Sequence, residues 1–206
     1  MIIGLIGFKQ VGKSTAAEHL QKEHGFTRHN MKDALVKEMK ENLKETLEAI
    51  KDVHSLGGCP RLGMEFKYTT DPLFKEKPPV MRALMQNYGT DVRRKDSDSY
   101  WTDKWQDTLE KLGTADVVVD DVRFLNEATT VKEAGGFLIR LTRPDMTTGG
   151  EHVSETEQLG IKEDFTIDAK FGDQESLYEQ LDTFIETMKA ISTAADYSEG
   201  INMDSV

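Results

Sequence analysis

The sequence predicts a layered α/β domain built on a mainly parallel sheet, with helices on both of its faces. Three observations predict it. Apolar strand-like runs alternate along the chain with amphipathic, helix-like segments. A glycine-containing turn, Gly7 to Gly12, joins the first strand-like run to the first helix-like one. Val117, Val118 and Val119 form a wholly apolar run of the kind that a strand covered on both faces requires.

Taken in order, Met1 to Ile6 is β-branched and reads as a strand, and Ser14 to His24 reads as a helix. Phe26 to Met31 is a candidate second strand. Leu35, Met39, Leu43, Leu47 and Ile50 repeat at helical spacing with Lys and Glu between them, which predicts one long amphipathic helix whose charges form a solvated face. Residues 54 to 79 hold Gly57, Gly58, Pro60, Gly63, Pro72, Pro78 and Pro79, too many breaks for long regular elements, so a loop-rich insertion is expected. Helical spacing returns over Val80 to Tyr88 and Tyr100 to Leu112. The strand at Val117 to Val119 leads to a helix over Phe124 to Ala134 and a strand over Phe137 to Leu141. Pro144 to Glu157 is a polar excursion, and Phe165 to Ala169 is the last strand. The final helix starts near Gln174, with Leu177, Leu181, Phe184, Ile185, Met188 and Ile191 facing inward. The expected organisation is one domain over 1–195, with a lobe inserted at 32–112, a short lid at 144–157 and a loose tail over 196–206.

Composition excludes several classes. The 206 residues carry a net charge of -11, which argues against a nucleic-acid polymer as partner, because such a protein must present cations to phosphate. The imbalance is local: residues 151–206 hold fourteen acids and three bases, so the first 150 residues are neutral and any anion site belongs there. No apolar run is long enough to cross a bilayer and nothing resembles a secretion signal, so a cytoplasmic protein without a membrane partner is expected. A single cysteine, Cys59, rules out an internal disulfide and reads as an ordinary thiol.

Chemistry concentrates in three places. Gly7-Phe8-Lys9-Gln10-Val11-Gly12-Lys13-Ser14 fits the P-loop pattern G-x-x-x-x-G-K-S/T between a strand and a helix. Backbone N–H groups of such a loop, together with the helix N-terminus, cradle phosphate oxygens. Lys13 would reach the outer phosphates, the Ser14 hydroxyl would coordinate Mg²⁺, and Thr15 can add a phosphate contact. Asp120 and Asp121 end a strand where a metal-binding carboxylate is needed; adjacent strand residues face opposite sides, so only one of the two would serve the metal. The other reading of these acids is a helix N-cap. Arg82, Arg93, Arg94 and Lys95, with Gln86, Tyr88 and Trp101, and separately Arg123, Arg140 and Arg143, supply cations for phosphorylated ligands. His152 reads as a loop-structuring residue, and His19, His24, His29 and His54 lack metal-ligand spacing and read as surface or boundary residues.

With these residues in view, the sequence resembles the deoxynucleoside monophosphate kinases of bacteriophages, P-loop proteins of the adenylate-kinase type. Beside Gly7 to Ser14, the resemblance rests on Lys32 to Leu35, Arg82 to Arg93, Trp101, Asp121 to Glu127 and His152 to Glu155. It implies a P-loop NTPase three-layer fold with a helical monophosphate-binding lobe. It further implies that Asp33, Arg82, Gln86, Arg93 and Trp101 bind the acceptor, that Asp121 and Arg123 lie between the nucleotides, and that Arg140 and Arg143 stand at the base of the lid as catalytic cations. Two positions depart from the family pattern: Val36 occupies a usual lysine position, and Met81 a usual proline position.

The expected reaction moves the γ-phosphoryl group of ATP, with Mg²⁺ as cofactor, onto a deoxynucleoside monophosphate. Within enzymes the alternative is a dephospho-coenzyme A kinase, with Asp33 as base. Outside them it is an ATP-dependent switch or adaptor. If a bacteriophage encodes the chain, its compartment would be the host cytoplasm. Accepted bases, sugar selection and formation of a homodimer stay open at this point.

Overall fold

The computed structural model describes residues 1–55, 74–75, 79–144 and 157–201. The chain divides into two compact units, one of Met1–Arg28 with Thr114–Val206 and one of His29–Gly113. Cys59, His152 and nearly all of the expected lid lie outside the described residues.

The first unit is built on five parallel strands: β1 (Ile2–Ile6), β2 (Thr27–Arg28), β3 (Val117–Val119), β4 (Phe137–Thr142) and β5 (Phe165–Asp168), in the order β2-β3-β1-β4-β5. Successive residues of a strand face opposite sides, so each β1 residue belongs to one layer. Ile3 and Leu5 point, with Val118, Ile139, Leu141 and Ile167, into a core closed by helix α1 (Lys13–His24) and by the final helix, which runs over Gln174–Ile201. On the other side Gly4 lies close to Leu138, Val122 and Val131, the last of these carried by the helix Leu125–Glu133. The result is helix, sheet and helix in three layers.

The order places β1 between β3 and β4, with Ile2 to Gly4 paired to Val117 to Val119 and Ile3 to Ile6 paired to Phe137 to Arg140. The chain leaves β1 toward β2 and β3, and only later builds β4 and β5 on the opposite flank. The carboxyl ends of β1 and β3 therefore lie side by side at the point where the winding reverses, where open parallel sheets bind ligands.

The second unit begins with α2 (Met31–Ser55) and continues with α3 (Pro79–Gln86), a π-helical stretch Asn87–Arg93, a single turn Arg94–Asp96 and α4 (Tyr100–Leu112). The helices of the first unit are then α5 (Leu125–Glu133) and α6 (Gln174–Ile201).

Three expectations need correction. Only Thr27 and Arg28 of the segment Phe26 to Met31 form a strand, because the Asp33 carboxylate accepts the Asn30 N–H at 2.7 Å and α2 starts at Met31. The helix expected over Val80 to Tyr88 starts at Pro79, a residue preorganised for a first helical position, and after Gln86 widens into the π-helical stretch. The final helix does not stop at Asp196 but reaches Ile201, since no proline or glycine interrupts the chain from Gln174 to Glu199.

Leu181 is fully buried where α6 meets the sheet. Leu181→Ala is expected to lower stability by about 2–5 kcal/mol, read as a lower urea midpoint with an unchanged slope.

Candidate functional site

The first part of the site is the turn between β1 and α1. Gly7 has φ +144°, and a Cβ there would come within 2.6 Å of the Leu141 carbonyl oxygen, so only glycine fits against β4. Gly12, at φ +108°, is the last residue before α1 and caps the helix with no side chain. The first turn of α1 carries no acid, so its N–H groups and positive dipole end suit an anion. Lys9, Gln10 and Ser14 are exposed and Val11 is buried. Lys13 curls over the turn: its Nζ donates to the Phe8 carbonyl at 2.8 Å and to the Gly7 carbonyl.

Beside the turn stands Asp120, the residue after β3. Its side chain is 3% exposed and forms an ion pair with Arg28, at the end of β2. Ser14 Oγ donates to Asp120 Oδ2 at 3.0 Å, and Arg28 also donates to Ser14 Oγ at 3.3 Å. Of the two adjacent acids, Asp120 is therefore the one drawn together with Ser14. Hydroxyl and carboxylate oxygens at this separation match the hard-oxygen preference of Mg²⁺, which keeps its other positions for water and phosphate.

Neither acid serves as the N-cap of the following helix. Phe124 holds the N-cap position, and the Glu127 carboxylate reaches back to accept the N–H groups of Arg123 and Phe124 at 2.8 and 3.2 Å. Asp121 is buried and Arg123 half-buried.

Arg140 and Arg143 differ in what holds them. Arg140 donates to Glu163 at 2.8 Å and to the carbonyls of Ile161 and Gln158 at 2.6 and 3.2 Å, which ties β4 to the segment leading into β5. Arg143 donates to the Ala169 carbonyl at 3.1 Å and lies 5.3 Å from the centre of the Phe171 ring. It lines a cavity of about 410 Å³ shared with Gly12, Thr15, Lys170, Phe171 and Gly172. The cavity thus opens beside the same helix N-terminus as the turn.

In the second unit, Arg82 and Gln86 are exposed four residues apart on α3, hence on one face. Trp101 is buried and donates its indole N–H to the Gly89 carbonyl at 2.9 Å, which pins the π-helical stretch to α4. Asp33 is engaged with the Asn30 N–H at the start of α2. Arg93 belongs to a cluster centred on Glu38. Its Nε donates to Glu38 at 2.8 Å, the Tyr88 and Tyr100 hydroxyls donate to the same carboxylate at 2.6 and 2.7 Å, and Lys104 stands 3.8 Å away. Burial pushes the Glu38 carboxyl up, but hydrogen bonds from Tyr88, Tyr100 and Arg93 outweigh it and hold the group below its ordinary range. Burial and then Glu38 push both tyrosines up.

Sequence reasoning missed Arg28 and Glu38. A cation at the carboxyl end of a strand was the available signal for Arg28. Glu38 lies three residues from Leu35 and beside the apolar stripe of α2, so it was not simply part of a solvated face.

The sheet order and the turn define a three-layer α/β protein whose first strand leads through a glycine-framed turn into the N-terminus of α1. The family model for deoxynucleotide monophosphate kinase matches residues 62–181. A protein of Acanthamoeba polyphaga mimivirus that bears the family's name is 34% identical over 171 residues, which cover 79% of this chain and 84% of that protein. The crystal structure of TT1252 from Thermus thermophilus superposes with a TM-score of 0.44 at 15% identity, over 90% of this chain and 97% of that one. The chain belongs to the deoxynucleotide monophosphate kinase family, and it is accordingly a phosphotransferase that acts on a deoxynucleotide monophosphate. No helix among the described residues is long and apolar enough to cross a membrane.

Two outcomes are expected. Arg28→Ala withdraws a guanidinium from a carboxylate that is 3% exposed and should lower stability by about 3 kcal/mol, seen in denaturant unfolding. Glu38→Gln should be less stable than the wild type at neutral pH. Because the folded-state pKa of Glu38 is lowered, its contribution is full above the unfolded carboxylate range and fades as pH falls through the folded value. Thermal midpoints of the two proteins should therefore converge in acid.

Proposed function

We propose that the phosphoryl donor is ATP, bound with Mg²⁺ at the Gly7 to Ser14 turn, and that its γ-phosphoryl group passes to the 5′-phosphate of a deoxynucleoside monophosphate. The observation that carries this reading is the coincidence, at one helix N-terminus, of an acid-free glycine turn, the Ser14–Asp120 oxygen pair and a cavity of about 410 Å³. Triphosphate, metal and nucleoside would each find a matching feature there.

Gly7, Lys9, Gln10, Val11, Gly12, Lys13, Ser14 and Thr15 form the donor-phosphate site. Lys13 exchanges its carbonyl contacts for phosphate oxygens, which are stronger acceptors because they are charged. Mg²⁺, when bound, supplies positive charge that offsets the charge developing on the transferred group. Ser14 and Asp120 would hold it, and Arg28 neutralises Asp120 until it arrives. The donor base occupies the cavity, which Phe171, Gly172 and Arg143 help to line.

On the acceptor side, Arg82, Gln86 and Arg93 recognise the monophosphate lobe's ligand, with Asp33 and Trp101 shaping α2 and α4 around it; Asp121 and Arg123 contact the nucleotides. An oxygen of the acceptor phosphate attacks the γ-phosphorus, the bond to the β–γ bridging oxygen breaks, and ADP leaves with that electron pair. The second pKa of a phosphate monoester is about 6, so the acceptor is already anionic and no general base is needed. The reaction then rests on alignment and charge neutralisation. Arg143 suits the second task, whereas the contacts of Arg140 favour a bracing role.

Protein supplied with Mg²⁺, ATP and each deoxynucleoside monophosphate in turn should yield ADP and a diphosphate; absence of turnover with all of them rejects the donor assignment. Lys13→Ala should lower turnover by about a hundredfold or more. Phe171→Ala should raise the KM for ATP while leaving that for the acceptor in place, and equal KM values for ATP would remove the base from this cavity.

A further inference from the structure

His19 and His24 lie five residues apart on α1, a separation that does not by itself make neighbours. In the fold both face α6, and the Nε2 atoms of both rings lie 2.6 Å from the same oxygen, Asp182 Oδ1. One potential ligand atom from each residue lies within 4.8 Å of the others. The His19 ring is stacked on Tyr178 with centroids 4.1 Å apart and planes 4° from parallel, and it stands edge-on to His24 at 5.8 Å. The rings are therefore held in place by packing. Their side chains are 9% and 15% exposed, whereas that of Asp182 is 40% exposed and leaves a route to water.

We propose that His19, His24 and Asp182 form a binding site for a divalent transition-metal ion of the Zn²⁺ class, joining α1 to α6 on the far end of α1 from the Gly7 to Ser14 turn. Two imidazoles and one carboxylate are a borderline ligand set that prefers Zn²⁺, Co²⁺ or Ni²⁺ to Mg²⁺ or Ca²⁺. Bonds of about 2.0–2.1 Å in tetrahedral array set ligand atoms about 3.3 Å apart, so the ring nitrogens need to retreat from Asp182 by less than an ångström to admit the ion. Each neutral imidazole keeps one proton, carried on Nδ1 when Nε2 ligates, and water completes the coordination.

The surroundings favour a cation. His24 is the last residue of α1, at the negative end of the helix dipole. Burial pushes the Asp182 carboxyl up, but hydrogen bonds from His24 and His19 outweigh it and hold the group below its ordinary range; on ligation the ion takes the place of those two donors. Nothing in the phosphoryl-transfer reading uses these three residues.

The test uses the full chain after dialysis against a chelator. Titration with Zn²⁺, followed by calorimetry and by thermal unfolding, should show one site that survives in Asp120→Asn, raises the thermal midpoint and outcompetes excess Mg²⁺. His24→Ala and Asp182→Asn should each weaken Zn²⁺ binding by about tenfold or more while leaving kinase turnover unchanged. Zn²⁺ affinity equal to the wild type in both variants overturns the site, as does affinity lost only in Asp120→Asn. Ring NMR signals of His19 and His24 give a check that needs no variant: both should shift on adding one equivalent of Zn²⁺ to the wild type, and unmoved signals at saturation overturn the proposal.

Discussion

Asp120 carries a carboxylate almost wholly removed from water, and the surrounding architecture follows from the need to satisfy it. The parallel register of β1 with β3 places the residue after β3 beside the turn that leaves β1, where the Ser14 hydroxyl can donate to it. β2 pairs with β3 over only two residues, yet this short strand delivers Arg28 to the same carboxylate. A buried charge without a counter-charge would be strongly unfavourable, so strand order, strand ends and the position of α1 are bound together by one electrostatic requirement. A residue that must be neutralised by a cation in the absence of ligand is also suited to receive one with it.

The same reasoning explains the turn. Gly7 is pressed against the β4 backbone and Gly12 leaves the start of α1 without a side-chain cap. The first turn of α1 carries no acid of its own, and Lys13 donates to the carbonyls of Gly7 and Phe8. In the second unit the balance is struck differently: Glu38 draws Arg93, Tyr88 and Tyr100 into one network, which orients the guanidinium.

Much of the fold was legible because it depends on nearest neighbours. Periodicity located all five strands and the long helices, and the turn declared itself through glycine, lysine and serine at set intervals. What escaped were departures whose causes lie outside the hydrophobic pattern, some local and some long-range. The strand read over Phe26 to Met31 shortened because Asp33 starts a helix at Met31. The helix before Tyr88 widened into a π-helical stretch, where Gly89 offers its carbonyl to Trp101 from α4. Glu38 read as solvent-facing because its partners come from other helices.

By itself the sequence determined the alternation of strand and helix and the glycine-framed turn between β1 and α1, since hydrogen bonds and steric rules within a few residues decide both. Which charges meet was decided by the tertiary structure alone. Ser14 and Asp120 are 106 residues apart and Arg28 and Asp120 are 92 apart, while His24 and Asp182 meet across 158. Only the parallel pairing of strands and the packing of α1 against α6 bring such pairs within hydrogen-bonding reach, because the geometry of a contact between distant segments is set by the core that joins them and not by the residues on either side.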